Sequence, residues 1–281
     1  MKKREKDICD AVSASAPRSA KHVSQASIRP EECEDDWGGC ISRHHGCKSF
    51  PSRVESNTRG AGIQARASWN MDETGLFWKK MPQRTFIAQD ERRAPGFKAA
   101  KDRCTVLFCG NAAGHLIRPG FIYKSKKPRA FERRDMSRLP VFWMHNMKAW
   151  TTSELFLNWF YHCFLPEVER YLHQKGFEFK ILLILDNAPG HPQSVEVLHE
   201  KVQVLFLPPN TTALNQPMDP GVIKTVKANY SKCVMARLHS ALDHDQNLDV
   251  IQYLKSFNIA NCVSVVAESF KDVKPETVNA Y

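Results

Sequence analysis

The chain has no stretch approaching the roughly 18 consecutive apolar residues of a membrane-spanning helix, so nothing in its 281 residues reads as a span. Its charged start, Met1-Lys2-Lys3-Arg4-Glu5-Lys6-Asp7, is not followed by an apolar core segment, which argues against a secretory signal. No Cys-x-x-Cys pair occurs. Nine cysteines, an odd number without paired spacing, point to a reducing compartment rather than a disulfide framework. No internal repeat is visible. These absences leave a soluble intracellular chain, long enough to bury one sizeable core and a small appendage.

Acidic residues are scarce in one sector. Residues 79–138 hold 16 Lys and Arg against five Asp and Glu, a local net charge of +11, so the rest of this +10 chain sums to −1. A concentrated basic sector attracts polyanions, with nucleic acid the usual one; a solvated loop face is the bland alternative. Within it, Lys124-Ser125-Lys126-Lys127-Pro128-Arg129 also has the composition of a nuclear import signal, a weak motif. Apolar residues are in turn scarce over 1–67, which is rich in Ser, Arg, Gly and Glu, lacks sustained periodicity and reads as a mostly disordered tail. Cys33, Cys40, His44, His45 and Cys47 cluster there, but without the tight paired spacing of zinc ligands.

From residue 68 the texture becomes α/β. Strands are expected over 69–78, 85–88, 104–109, 121–123, 179–185 and 202–207, with 179–185 apolar enough to be buried on both faces. Thr152 or Ser153 can cap a helix running to about Cys163, and Pro166 can start another that ends near Gly176. After Pro217, Val222, Ile223, Val226, Tyr230, Cys233 and Val234 follow helical spacing, with Lys224, Lys227 and Lys232 on polar positions. The order of elements predicts a mixed sheet flanked by helices over 68–281.

Three aspartates stand in distinctive settings. Asp72 lies within the first expected strand. Asp186 follows the apolar run Ile181-Leu182-Leu183-Ile184-Leu185 and opens Asp186-Asn187-Ala188-Pro189-Gly190-His191, at the carboxyl end of a central strand, where α/β sheets place ligand chemistry. Asp219 precedes Pro220 at the head of a helix, where it could also be simply an N-cap. Three converging carboxylates suit hard divalent ions, because Mg²⁺ takes a few protein oxygens and fills its remaining positions with water and phosphate. A pair of such ions roughly 3.5–4 Å apart supports in-line phosphoryl transfer. Asn187, His191 and Gln216 are candidates for a supporting shell, although a packing histidine and an ordinary Asn/Thr turn at 210–212 explain the same residues. Glu73 adjoins Asp72 but points to the opposite face of a strand, so it is not chosen as a ligand.

Three ordered motifs carry a family resemblance: Asn-Met-Asp-Glu-Thr-Gly-Leu-Phe-Trp-Lys-Lys-Met-Pro at 70–82, Leu-Asp-Asn-Ala-Pro-Gly-His-Pro at 185–192, and Pro-Pro-Asn-Thr-Thr-Ala-Leu-Asn-Gln-Pro-Met-Asp at 208–219. Over about 68–281 the chain resembles the DDE-type transposases of the pogo/Tigger group, whose domesticated relatives include jerky-like proteins and centromere protein B. The resemblance implies an RNase H-like fold, with Asp72, Asp186 and Asp219 matching the catalytic DDD triad. It further implies Mg²⁺ as cofactor with Mn²⁺ as a substitute, DNA as partner, strand cleavage and transfer, a nuclear location, and an assembly open to homo-oligomerisation. Departures set the alternative expectation, a domesticated or decayed DNA-binding or interaction protein without catalysis. The two N-terminal helix-turn-helix modules of the family are not complete, 8–24 resembling only the link between them. Asn215 and Pro220 stand where an aliphatic residue and Gln are usual, and the family's domain continues beyond the position matched by Tyr281.

Overall fold

A computed structural model describes residues 64–80, 102–192, 199–208, 218–245 and 247–279. The linker remnant expected at 8–24, the Cys/His cluster, the expected strand at 85–88, and Gln216 lie outside the described residues.

Six strands form one sheet: β1 (Ser68–Leu76), β2 (Cys104–Asn111), β3 (Gly120–Tyr123), β4 (Phe142–His145), β5 (Ile181–Leu185) and β6 (Val202–Phe206), in the order β4-β3-β2-β1-β5-β6. β1, β2 and β3 are antiparallel neighbours, whereas β5 runs parallel to β1 and β6 parallel to β5. This is the RNase H-like mixed sheet that the resemblance implies. β4 is an addition to the expected strands. It pairs parallel to β3 at the sheet edge, where Phe142 and Trp143 are only half-buried, so it lacks a clear alternation in sequence.

Alternation along β1 separates two cores. Trp69 and Met71 join Leu107, Cys109 and Ile122 on one face, under the helical segment that follows β4. Val106, Phe108 and Phe121 face the other way, under the C-terminal helices. β5 is buried at every position, which explains its unbroken apolar run.

The first face is covered by α1 (Ser153–Trp159), a π turn (Phe160–Phe164) and α2 (Leu165–Gln174), continuous with one another. Thr152 caps α1 by accepting from the Leu155 N–H. Pro166 sits in the first turn of α2, as expected, although α2 continues from the π turn without a break. A proline lacks an N–H and crowds the carbonyl four residues back, and the widened turn just before it accommodates both effects. The second face is covered by a π turn (Asp219–Ile223) leading into α3 (Lys224–His244), then α4 (Val250–Ser256), α5 (Ile259–Lys271) and α6 (Pro275–Val278). α4 and α5 each open with a reciprocal capping box, at Asp249/Gln252 and Asn258/Asn261. The π turn begins one residue earlier than an Asp219 N-cap would require: Met218 is its flanking residue and is already helical. Pro220 still falls in the first turn, where its missing N–H costs no helical hydrogen bond.

Cys104, Cys109, Cys163, Cys233 and Cys262 are free thiols, and burial pushes Cys104 and Cys109 well above the ordinary thiol range. Among the described residues, no helix is long and apolar enough to cross a membrane.

Candidate functional site

β1 and β5 pair in register from Ser68↔Leu182 to Asn70↔Ile184. There Asn70 Nδ2 donates to the Ile184 carbonyl at 3.2 Å, and the strands part. Asp72 and Asp186 each lie two residues beyond that last registered pair. Asp186 is the first residue beyond β5, whose end remains bonded to β6 through Leu207 N–H and the Leu185 carbonyl at 2.7 Å. Both aspartates thus follow the parallel pairing of β1 with β5 toward its carboxyl end.

The third motif approaches the same face. Gly110 pairs with Asn70, and a Cβ at Gly110 would lie 2.9 Å from Met218 Cε. Met218 therefore packs on the sheet at the level of Asn70, and the chain turns there into the Asp219–Ile223 turn, held by Ile223 N–H to the Met218 carbonyl at 2.9 Å. The Asp219 side chain is outside the described residues. Among the described residues, no group of three or more His, Cys, Asp or Glu comes together as a metal-holding cluster.

The two described carboxylates are held differently. Asp72 is 7% exposed, and its Oδ1 accepts from the Glu73 N–H at 2.7 Å. Asp186 Oδ1 accepts from the Ala188 N–H at 3.2 Å and lies 2.7 Å from His191 Nδ1. His191 Nδ1 is also 3.1 Å from the Asp186 carbonyl, and its Nε2 is 3.0 Å from Glu73 Oε2. Every atom facing the ring nitrogens is an acceptor. A neutral imidazole has a single N–H, so satisfying both sides requires the imidazolium. Burial works against that charge, but the hydrogen bonds and charges of Asp186 and Glu73 outweigh it and lift the His191 pKa to about 10. Phe156 of α1 packs on the ring at 4.9 Å between centroids.

The Glu73–His191–Asp186 chain has no counterpart among the sequence expectations. Glu73 does point away from Asp72, as strand alternation requires, yet through His191 it reaches around the sheet edge to Asp186. His191 is a candidate for the supporting shell from sequence alone; the partner hidden there is the glutamate beside the first aspartate. Asn187 is exposed next to Asp186. Lys227, expected on a polar helix face, turns in to donate to Thr74 Oγ1 at 2.7 Å, on the Asp72 face of β1.

Part of the basic sector is occupied internally. Arg118 pairs with Glu167 at 3.0 Å, Lys124 with Asp102 at 2.9 Å, and Lys79 donates to the Leu254 carbonyl at 2.7 Å. Lys126, Lys127, Arg129, Arg133 and Arg134 remain exposed on the connection between β3 and β4.

Residues 101–281 match the family model described as DDE superfamily endonuclease. The chain is 36% identical over 190 residues to human Jerky protein homolog, covering 66% of this chain and 33% of that protein. It is 33% identical over 219 residues to human Tigger transposable element-derived protein 7, covering 74% of this chain and 40% of the relative. A CENP-B homolog, protein 2 of Schizosaccharomyces pombe, is 29% identical over 173 residues, covering 58% and 31%. The matched region thus spans well under half the length of these curated relatives. Among solved structures, the catalytic domain of Mos1 mariner transposase aligns with a TM-score of 0.37 at 13% identity, covering 90% of this chain and 97% of that one.

Proposed function

The chain belongs to the DDE superfamily endonucleases, among their pogo/Tigger relatives, and on that premise we propose that it acts on DNA in the nucleus through a divalent-metal site built from Asp72, Asp186 and Asp219. The observation that supports this reading is the parallel register of β1 and β5, whose last pair, Asn70↔Ile184, lies two residues before Asp72 and Asp186 on their respective segments. The donor set fits the cofactor: all of these side chains offer oxygen, as Mg²⁺ and Mn²⁺ prefer, and Met218 brings the third motif to the same face. When bound, the metal ions would activate the attacking oxygen and stabilise the leaving oxygen of a phosphodiester.

The residues of the chain prepare the site in distinct ways. Glu73 N–H holds one oxygen of Asp72, and His191 with Ala188 N–H holds one oxygen of Asp186, which restricts how each carboxylate can turn. Glu73 holds His191 from behind and acts as a positioning residue. Lys227 supplies positive charge beside Asp72, on the face where a phosphate backbone would lie. The exposed cations at 126–134 suit sequence-tolerant phosphate contacts.

A second reading is DNA binding without catalysis, favoured by the imidazolium already seated on Asp186. Titration of Mn²⁺ into the purified chain separates the two. Saturable binding that is lost in Asp72→Asn, Asp186→Asn and Asp219→Asn alike supports the metal site; Mn²⁺ binding unaffected by all three variants contradicts it.

A further inference from the structure

The connection between β4 and α1 is held more firmly than its composition suggests. Ala149 has φ 48°, a left-handed conformation that is costly for a residue with a Cβ. Its carbonyl accepts from Thr105 Oγ1 at 2.7 Å in a buried contact that ties it to β2. Asn146 clamps the turn from both sides, donating to the Trp150 carbonyl at 2.5 Å and accepting from the Trp150 N–H at 3.1 Å. Thr151 is buried and abuts the His191 turn, since a Cβ on Gly190 would lie 3.3 Å from Thr151 Cγ2. The segment is therefore fixed between the sheet and the loop that carries Asp186.

This rigid frame holds apolar groups out in water. Met147 is 92% exposed and Trp150 58%, the two highest values among the large exposed hydrophobic residues described. The Arg103 guanidinium lies over the indole, 4.7 Å from its centroid, while the Arg103 stem rests on Gly75, two residues beyond Glu73 on the same face of β1. Lys148 is exposed between Met147 and Trp150. The strained turn and its three hydrogen bonds present the indole in a fixed orientation. A flat aromatic flanked by two cations fits a nucleotide, whose base can stack while its phosphate meets the charges.

We propose that Trp150 is a stacking platform for an unpaired DNA base beside the turn at Gly190 that follows Asp186, with Met147 as a wedge that opens the duplex next to it and Arg103 and Lys148 contacting the adjoining phosphates. The proposal rests on the reading of the chain as a DNA-acting protein. It adds a preference that the basic surface alone does not give: locally unpaired DNA over intact duplex.

The test compares binding of a fluorescein-labelled 20-mer, single-stranded or as matched duplex, to the wild-type chain and to Trp150→Ala, Trp150→Phe and Asp186→Asn at fixed salt. Trp150→Ala should weaken single-strand binding roughly 5- to 150-fold, the range expected for one base stacked on an aromatic side chain. Duplex affinity should change little, and Trp150→Phe should recover most of the loss. A 5-iodouracil-substituted single strand should photocrosslink to Trp150 in the wild-type chain, a readout that needs no variant to fold. Equal single-strand affinity in Trp150→Ala and wild type, or crosslinks that map elsewhere, overturns the platform. Single-strand preference that depends on Trp150 but persists in Asp186→Asn, without metal-dependent cleavage in any form, sustains the platform and removes the catalytic reading instead.

Discussion

Replacing His191 by Asn removes the charge that links Glu73 to Asp186, and the effect on stability should depend on pH in a way set by the geometry. The imidazole titrates near 6.5 when unfolded and at about 10 in the folded chain. The folded pKa is the higher, so the folded chain holds a proton that the unfolded chain releases. The stabilisation is therefore complete below about pH 6.5 and is lost as pH rises through about 10. Each pH unit inside that window is worth ~1.4 kcal/mol, giving about 3 kcal/mol between pH 6.5 and 9 and an upper bound of about 5 kcal/mol overall. Solvent takes little of this away, because the His191 side chain is 0% exposed and those of Glu73 and Asp186 are 19% and 16% exposed. Urea unfolding of the metal-free wild type and of His191→Asn, repeated from pH 6 to 9.5, isolates the term, since other titrating groups cancel in the difference. The stability advantage of the wild type should shrink steadily with rising pH. A difference that stays flat across the window would refute the imidazolium bridge.

Three further outcomes follow from individual side chains. Glu73→Gln keeps an oxygen for His191 but removes a charge that favours the imidazolium, so the His191-dependent stability should be lost at lower pH than in the wild type, read by urea unfolding from pH 6 to 9.5. Gly110→Ala puts a methyl 2.7 Å from Leu116 Cδ2 and 2.9 Å from Met218 Cε, so it should cost about 1–3 kcal/mol in thermal unfolding and weaken metal binding by displacing the turn at Asp219. Joint replacement of Lys126, Lys127 and Arg129 by Ala should lower the slope of log affinity for duplex DNA against log salt by about 0.9 for each phosphate no longer neutralised, measured by fluorescence anisotropy.

How much of this is legible in the sequence depends on how local each signal is. β5 announces itself because burial on both faces demands an unbroken apolar run, and Asp186 is visible as the charge that ends it. β1 and β2 carry usable patterns for the same reason. β4 does not, since an edge strand of four residues with half-exposed aromatics has no period to read. Pro166 marks the start of α2 as its sequence suggests, but only the packing of Phe160, Cys163 and Phe164 into the core reveals the widened turn that joins α2 to α1. The pairing of β1 with β5 is a matter of register, a long-range property that motif order alone can only imply. Glu73 illustrates the limit best. Strand alternation correctly turns it away from Asp72, but its contact with His191 spans 118 residues and leaves no local trace. The Trp150 platform is equally silent, because its hold depends on Thr105 from another strand.

The most direct test of the central claim is conversion of supercoiled plasmid to open circles by the purified chain, with Mg²⁺ or Mn²⁺ and with EDTA. The account predicts nicking by the wild type that EDTA abolishes and that falls at least about 100-fold in Asp72→Asn, Asp186→Asn and Asp219→Asn, each of which removes a metal-bearing carboxylate. Nicking that survives EDTA or any one of these substitutions, or a complete absence of metal-dependent nicking by folded, DNA-bound wild type, would contradict it.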